Sequence, residues 1–491
     1  MVIHRWALGR FEGWPSSRSD PVDGGERADR GSATLSAGTV SRTQDLHLDD
    51  GSSVAIVGGG PAGSMTAIFL LEMASLQGID LEVEIFEPRD FSCVAPQGCN
   101  MCGGIISETL VQNLASEGIN LPPNVVQRGI QSYKLHTDVG SVRIETPLHE
   151  KRIGSVYRGA GPRDLKDSRW RSFDLHLETL ASTLGARVTR SRVKKIVFDG
   201  GVPHIEVKDE ALRAFDLAVV AVGVNSAAAK LVEGLELRYC QPETTKTFIR
   251  EYYLGENVIE RTLGDSMHVF LLNLPRLEFA AIIPKGDYAS VCLLGEAIDN
   301  DLVDAFFASQ QVRECMPDGW TAEPRSCQCS PKISTRGAVK PFADRLVFVG
   351  DCGVTRLYKD GIGAAYRTAK ACATTAIFEG ISEEDFRRNY WPVCRSIERD
   401  NAIGKVTFAI TRQIQKRAFA RRALLNITAK EQNGNGRAKD MSQVLWDMFT
   451  GSAPYREIFL RTLHPRFLAR FSWELASSLS TPSKTRTERG V

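Results

Sequence analysis

The 491-residue chain carries no surplus of charge: 61 Lys and Arg stand against 59 Asp and Glu, a formal net charge of +2. That balance does not favour a protein built around a polyanion, and no nucleic-acid-binding motif is present, so no nucleic-acid partner is expected. Runs of about 18 or more uncharged apolar residues are missing, which argues against a membrane-spanning helix. Nothing near the N-terminus has the apolar stretch of a secretory leader. The eleven cysteines, an odd number, are therefore expected as reduced thiols in a cytoplasmic protein. They do not suggest a metal site. Cys93, Cys99 and Cys102 offer three ligands without a nearby histidine, Cys327 and Cys329 two more, and a closed site needs about four. A redox-active Cys99/Cys102 pair stays open beside the plainer reading of small cysteines lining a loop. No internal repeat is visible, and the one biased tract is the short Gly/Asn loop Gln432 to Arg437.

What is present is ordinary globular material, 43% hydrophobic and 24% charged, enough for a sizeable core. Residues 1–51 differ, being rich in Ser, Gly, Asp and Arg, and are expected as a disordered extension. Order is expected from Ser53. Val54 to Val57 reads as a strand buried on both faces, followed by a glycine cluster, a helix from Ser64 to about Leu76, and a strand from Leu81 to Phe86. Tyr133 to Pro147 alternates like antiparallel strands. Phe173 to Leu184 has helical spacing, and strands are expected at Val188–Phe198, Ile205–Val207 and Leu217–Val222. A second strand-rich block runs from Phe248 to Leu294. Leu346 to Val349 is another buried-type strand that again runs into glycine, followed by a helix from Ala364 to Phe378. Beyond about Ile381 the chain reads as helical and basic.

The sharpest signal is Gly58-Gly59-Gly60-Pro61-Ala62-Gly63 between a buried strand and a helix. Gly58 permits a tight turn, Gly60 lets the backbone approach a pyrophosphate, and Gly63 lets helix and strand pack closely. The helix start offers free N–H groups and a positive dipole end. Glu87 closes the next strand, where a carboxylate accepts ribose hydroxyls and disfavours a 2′-phosphate. Two strand-glycine-helix units, nearly 300 residues apart, imply one discontinuous nucleotide domain with a sheet-based domain inserted.

Val54 to Glu87, Arg158 to Leu184, Phe215 to Ser226 and Leu346 to Ala373 resemble the FAD-binding segments of p-hydroxybenzoate-hydroxylase-type flavoproteins. Cys102-Gly103-Gly104 and Ile283-Pro284-Lys285-Gly286-Asp287-Tyr288 are similar to segments of the geranylgeranyl reductase family within that group. The resemblance spans most of residues 52 to about 395. It implies FAD as cofactor and an α/β fold: a discontinuous Rossmann-type FAD-binding domain (52–132, 155–238 and 336–395), an inserted antiparallel β-sheet substrate domain (133–154 and 239–335), and a helical C-terminal region (396–491). Gly58, Gly60, Pro61, Ala62, Gly63 and Glu87 would then hold the adenosine half of FAD, with Arg171 and Gly223 near the cofactor. Asp351 would hold the ribityl chain, and Gly361, Ile362 and Gly363 would line the flavin ring. Cys102 and Tyr288 are the candidate proton donors.

The activity implied is reduction of C=C bonds in an isoprenoid or other apolar, lipid-like substrate. Alternatives are a flavin monooxygenase or dehydrogenase of a natural product, and a membrane-surface flavoprotein passing electrons to quinone. The external reductant stays open between NAD(P)H and a ferredoxin-like donor protein. Three departures bear on this, one being the segment after Asp351, which lacks the usual proline and sets Arg356, Tyr358 and Lys359 near the expected flavin face. Val222-Gly223 stands where related hydroxylases carry Asp-Gly, and Phe279, Ala281 and Ile283 form a less aromatic platform than the prenyl reductases have. The basic, aromatic stretch Val444 to Leu479 reads either as a helical cap on the flavin domain or as an interfacial helix making peripheral contact with the inner face of the membrane.

Overall fold

Val54 and Ile56 point to one side of their strand and Ala55 and Val57 to the other, and each pair enters a different apolar cluster. Burial on both faces places this strand, Ser52–Val57, in the middle of a sheet. The computed structural model describes residues 46–146, 153–165, 170–208, 210–323, 327–434 and 439–479. In it Ser52–Val57 lies between Leu217–Val220 and Leu81–Phe86, parallel to both. Arg187–Thr189 extends the sheet on one side; Leu346–Phe348 and the short antiparallel Phe342–Ala343 extend it on the other.

One face of this sheet is covered by the helices Pro61–Gln77, Phe173–Thr183 and Gly361–Phe378. The first and last pack on each other, with Phe69 edge-on to Tyr366 at 5.5 Å. The other face carries the three-stranded ribbon of Val193–Asp199, Val202–Val207 and Arg213–Ala214. The glycine-rich helix starts at Pro61 rather than Ser64, because proline's fixed φ suits a first helical turn, and it ends on Gly78 in a left-handed conformation (φ 70°).

The extension expected over 1–51 lies outside the described residues as far as 45. Leu46 to Gly51, by contrast, belong to the fold. Leu48 is 4% exposed, and the Ile381 N–H donates to the Leu46 carbonyl at 2.6 Å. These two leucines add apolar surface to the core, so the start of order is corrected to a point before Ser53. Residues 147–152 and 435–437, within the strand and loop expectations, lie outside the described residues.

The inserted sheet has seven strands, in the order Cys327–Cys329, Phe248–Tyr253, Tyr288–Gly295, Leu277–Lys285, Ser266–Phe270, Ser132–Thr137 and Gly140–Glu145. Its pairs are antiparallel except Ser132–Thr137 with Ser266–Phe270, which run parallel. That join corrects the purely antiparallel expectation. The two strands come from insertions 130 residues apart, and no hairpin can connect them.

The helices Trp391–Gln415, Ala418–Asn433, Asp440–Thr450 and Tyr455–Thr462 pack chiefly on this second sheet, so the expected cap on the flavin domain is corrected to a roof over the substrate sheet. Trp446 stacks on Tyr133 at 5.2 Å, and Phe449 meets Phe279 at 5.7 Å. Large buried rings of this kind contribute about 1.5–3 kcal/mol each. Among the described residues of these helices, only the start of Trp391–Gln415 reaches the flavin-domain core, through Cys394 and Ile397. The last helix, Pro465–Leu479, leaves Leu468, Trp473 and Leu479 exposed, Trp473 by 75%. Among the described residues no helix is long and apolar enough to cross a membrane.

Candidate functional site

The carboxyl ends of the central strands open into a cavity of about 620 Å³ that reaches from the glycine corner to the substrate sheet. At that corner the backbone is crowded enough to dictate its sequence. Gly58 has φ 108°, and a Cβ there would lie 2.6 Å from the Ala221 carbonyl oxygen. A Cβ on Gly63 would lie 1.8 Å from the Gly58 carbonyl oxygen, so the helix can approach the strand only through glycine. Glu87 accepts the N–H of Gly59 on one carboxylate oxygen and that of Arg89 on the other, both at 2.9 Å. Burial pushes its carboxyl up despite those donors. Gly58, Gly60, Pro61, Ala62 and Glu87 all line the cavity.

The distant motif meets the same corner. A Cβ on Gly350 would lie 2.7 Å from Cβ of Ala62, which brings the strand end at Phe348 against the first helix. Asp351, Gly361 and Ile362 line the cavity from this side, and burial pushes the Asp351 carboxyl up. Helix Gly361–Phe378 starts from Asp360, held at φ 56°. The Asp360 carboxylate accepts the Ser107 hydroxyl at 2.8 Å and sits where a side chain on Gly363 would go, 2.4 Å from its Cβ position. Beside it Arg356 is buried against the Tyr455 ring, 4.8 Å from its centroid, and donates to the carbonyls of Gly451 (2.6 Å) and Ala453. Lys359 lies over the same ring at 4.9 Å, and burial, then the nearby Arg356 charge, hold its ammonium well below the usual lysine range.

The opposite wall belongs to the substrate sheet. Met267, Phe279, Ala281, Ile283 and Cys292 present an apolar surface, closed from above by Phe449. Cys102 and Gly103 sit across from it, and a Cβ on Gly103 would lie 2.9 Å from the Cys292 sulfur. Burial pushes that thiol up to about 12. Beneath Gly104 lies the fully buried Lys285, paired with Glu251 at 3.4 Å. Burial works against the ammonium, the Glu251 carboxylate outweighs it, and the group is held above its ordinary value. Glu251 also accepts the Ser290 hydroxyl at 2.6 Å.

Most of the residues singled out in the sequence thus converge on one crevice, Cys102 and Gly223 (φ 70°) included. Gly63 and Gly363 act one layer back, by making room. Two assignments are corrected. Arg171 is exposed and outside the cavity wall; its backbone N–H donates to the Asn124 carbonyl at 2.8 Å, just ahead of the helix cap Ser172. Tyr288 is buried at a strand end, edge-on to Tyr253 at 5.3 Å, and also outside the cavity wall. It is therefore no proton donor to the cavity.

One lining group escaped the sequence reading. Arg158 is fixed by the buried Asp174 carboxylate in a two-point contact of 2.5 and 2.9 Å, and Asp174 also accepts Asn100 at 2.7 Å. Asp174 in the first turn of an apolar helix was the available signal. Lys359, expected near the flavin face, lines the cavity.

The geometry fits FAD. A glycine corner a Cβ would block, a buried carboxylate at the second strand end and a second helix start over the same crevice suit an elongated dinucleotide with a planar ring. No protein-family model matches the chain. The chain is similar to a geranylgeranyl diphosphate reductase of Synechocystis sp., 23% identical over 343 residues, covering 66% of this chain and 75% of that protein. It is similar also to the chloroplastic geranylgeranyl diphosphate reductase of Nicotiana tabacum, 23% identical over 373 residues, covering 70% and 73%. Among solved structures, a flavoprotein/dehydrogenase from Cytophaga hutchinsonii superposes with a TM-score of 0.57 at 14% identity, covering 87% of this chain and 100% of that one. A variant of the halogenase PltM in complex with FAD gives 0.52 at 13% identity, covering 87% and 91%. At such identities the structures speak for the fold alone. Sequence, cavity and fold agree: the chain is an FAD-dependent oxidoreductase of the p-hydroxybenzoate-hydroxylase-type flavoprotein fold, similar in sequence to the geranylgeranyl reductase family.

Proposed function

We propose that the chain reduces carbon–carbon double bonds in an isoprenoid or similarly apolar substrate. The observation that carries this reading is the apolar wall of Met267, Phe279, Ala281 and Ile283, set across the cavity from the start of helix Gly361–Phe378. The similarity to two geranylgeranyl diphosphate reductases supports it. When bound and reduced, FAD supplies the hydride. The chain's own residues do the rest. The glycine corner and Glu87 anchor the adenosine half, and Asp351 holds the ribityl side. The N-terminal N–H groups of helix Gly361–Phe378 stabilise negative charge on the ring edge. Phe449 and Phe279 keep water from the reacting alkene. Cys102 holds, on its sulfur, the proton that completes the addition.

Electrons would come from NAD(P)H or a ferredoxin-like donor protein. In the same reading the protein works in the cytoplasm with peripheral contact at the inner face of the membrane. The exposed Leu468, Trp473 and Leu479, interleaved with Arg466 and Arg470, suit anionic headgroups around a lipid-like substrate.

The decisive experiment is anaerobic photoreduction of the FAD-loaded protein, followed by mixing with an isoprenoid panel and mass analysis. A gain of two hydrogens supports the reading, and flavin reoxidation without any change in alkene mass overturns it. Added oxygen in an aerobic control would assign monooxygenase chemistry instead. Repeating turnover with NADPH and with reduced ferredoxin identifies the donor.

A further inference from the structure

The face of the substrate sheet turned away from the cavity holds a second constellation. His136 and His268 sit on the adjacent parallel strands Ser132–Thr137 and Ser266–Phe270, and both share that face with Phe270. Cys315 comes from the segment after helix Gln310–Arg313 and closes over them. His136 Nε2 lies 3.1 Å from His268 Nδ1, which lies 3.2 Å from Cys315 Sγ, and the sulfur lies 3.6 Å from His136 Nε2. A single hydrogen bond ties two atoms; here two nitrogens and a sulfur form a closed triangle. Ligands of one tetrahedral zinc, with Zn–N near 2.0–2.1 Å and Zn–S near 2.3 Å, stand about 3.3–3.7 Å apart. The three atoms are within a few tenths of an ångström of those edges before any ion is bound.

We propose that His136, His268 and Cys315 form a binding site for one thiophilic d10 metal ion, zinc(II) or copper(I). All three side chains are buried, and no carboxylate belongs to the group, which disfavours magnesium and calcium and suits a soft or borderline ion. Each imidazole turns a ring nitrogen into the triangle, Nε2 of His136 and Nδ1 of His268, whose lone pair a metal can take. The His268 ring also hydrogen-bonds the backbone of Leu263, which fixes its orientation as an outer-shell partner does. Binding exchanges one proton for the ion. The Cys315 S–H proton leaves to solvent, and His136 carries its own proton on Nδ1 so that Nε2 is bare. No electron moves. The ion would pin the parallel strand join to the helical segment that ends at Cys315, on the face opposite the cavity, so the proposal does not depend on the substrate reading.

The test uses the full FAD-loaded chain, purified in chelator under anaerobic conditions. Zinc(II), or copper(I) in a parallel arm, is added, and the ion retained after desalting is counted by elemental analysis. The expected result is one ion per chain with one proton released, a rise in Tm, and a slowing of alkylation on adding the ion at Cys315 and at no other of the eleven cysteines. Cys315→Ser and His268→Gln should each weaken binding about 100-fold, with unchanged flavin absorbance showing that they fold. The arm that retains its ion names the metal. Retention of neither ion by the wild type overturns the proposal, as does equal retention in Cys315→Ser. Protection that maps to Cys99 and Cys102 would overturn it too.

Discussion

A methyl group on Gly63 would have to occupy space 1.8 Å from the Gly58 carbonyl oxygen. Gly63→Ala is therefore expected to push helix Pro61–Gln77 off the strand and to lower FAD affinity at least about tenfold, at a packing cost of about 1–3 kcal/mol. Flavin absorbance remaining after desalting reads this out; full retention of colour would contradict it. Lys359 carries the opposite kind of penalty. Its folded-state pKa is depressed, so between that value and about 10.4 the unfolded chain binds a proton that the folded chain does not, and stability rises with pH across that window. Lys359→Met should stabilise the protein at pH 7 by about 1 kcal/mol and flatten the rise of Tm from pH 7 to 10. An unchanged pH slope would show the ammonium to be well solvated. Legibility divides at this same scale. Gly58 to Gly63, Glu87 and Asp351 could be read because each answers a local backbone demand within a few residues. Arg158 and the His136–His268–Cys315 triangle could not. The two histidines are 132 positions apart and Cys315 is 47 further on, so the register that joins them leaves no trace in spacing. Arg171 and Tyr288 were misplaced for a related reason: adjacency to a motif does not tell which way a side chain faces.

The helix Asp440–Thr450 shows what a pattern of aromatics does and does not reveal. Its apolar stripe is plain in the sequence, but the stripe alone names no partner, and the structure sets it on Tyr133 and Phe279. Phe449→Ala opens the roof of the cavity. It is expected to destabilise by about 3 kcal/mol, near the lower end for a phenylalanine truncation because one side of the ring faces the cavity. It should also widen acceptance toward bulkier apolar substrates. Denaturant unfolding measures the first effect and turnover on chains of increasing length the second; a protein of unchanged stability and selectivity would place Phe449 outside the roof. For helix Pro465–Leu479, Trp473→Ala is expected to weaken partition onto anionic vesicles several-fold without altering the fold, as followed by sedimentation. Equal partition of both proteins would remove this helix from any membrane role.

At the scale of the molecule, the two sheets share their covering. Helix Trp391–Gln415 begins with Cys394 and Ile397 in the flavin-domain core and continues to Phe408 in the core of the substrate sheet. Removal of residues 440–479 is expected to unfold the substrate sheet rather than release an intact catalytic body, since Tyr133, Phe279 and Met267 would lose their cover. Calorimetry of the full chain should show one cooperative transition, whereas two well-separated transitions would mean that the bridging helix transmits little. The central strand also fixes an order of events during synthesis. Its neighbour Leu217–Val220 is made some 160 residues later, and Leu346–Phe348 some 290 residues later. A ribosome therefore has to extrude more than two-thirds of the polypeptide before the coenzyme's berth exists, and loading of the coenzyme becomes a late, nearly post-translational event.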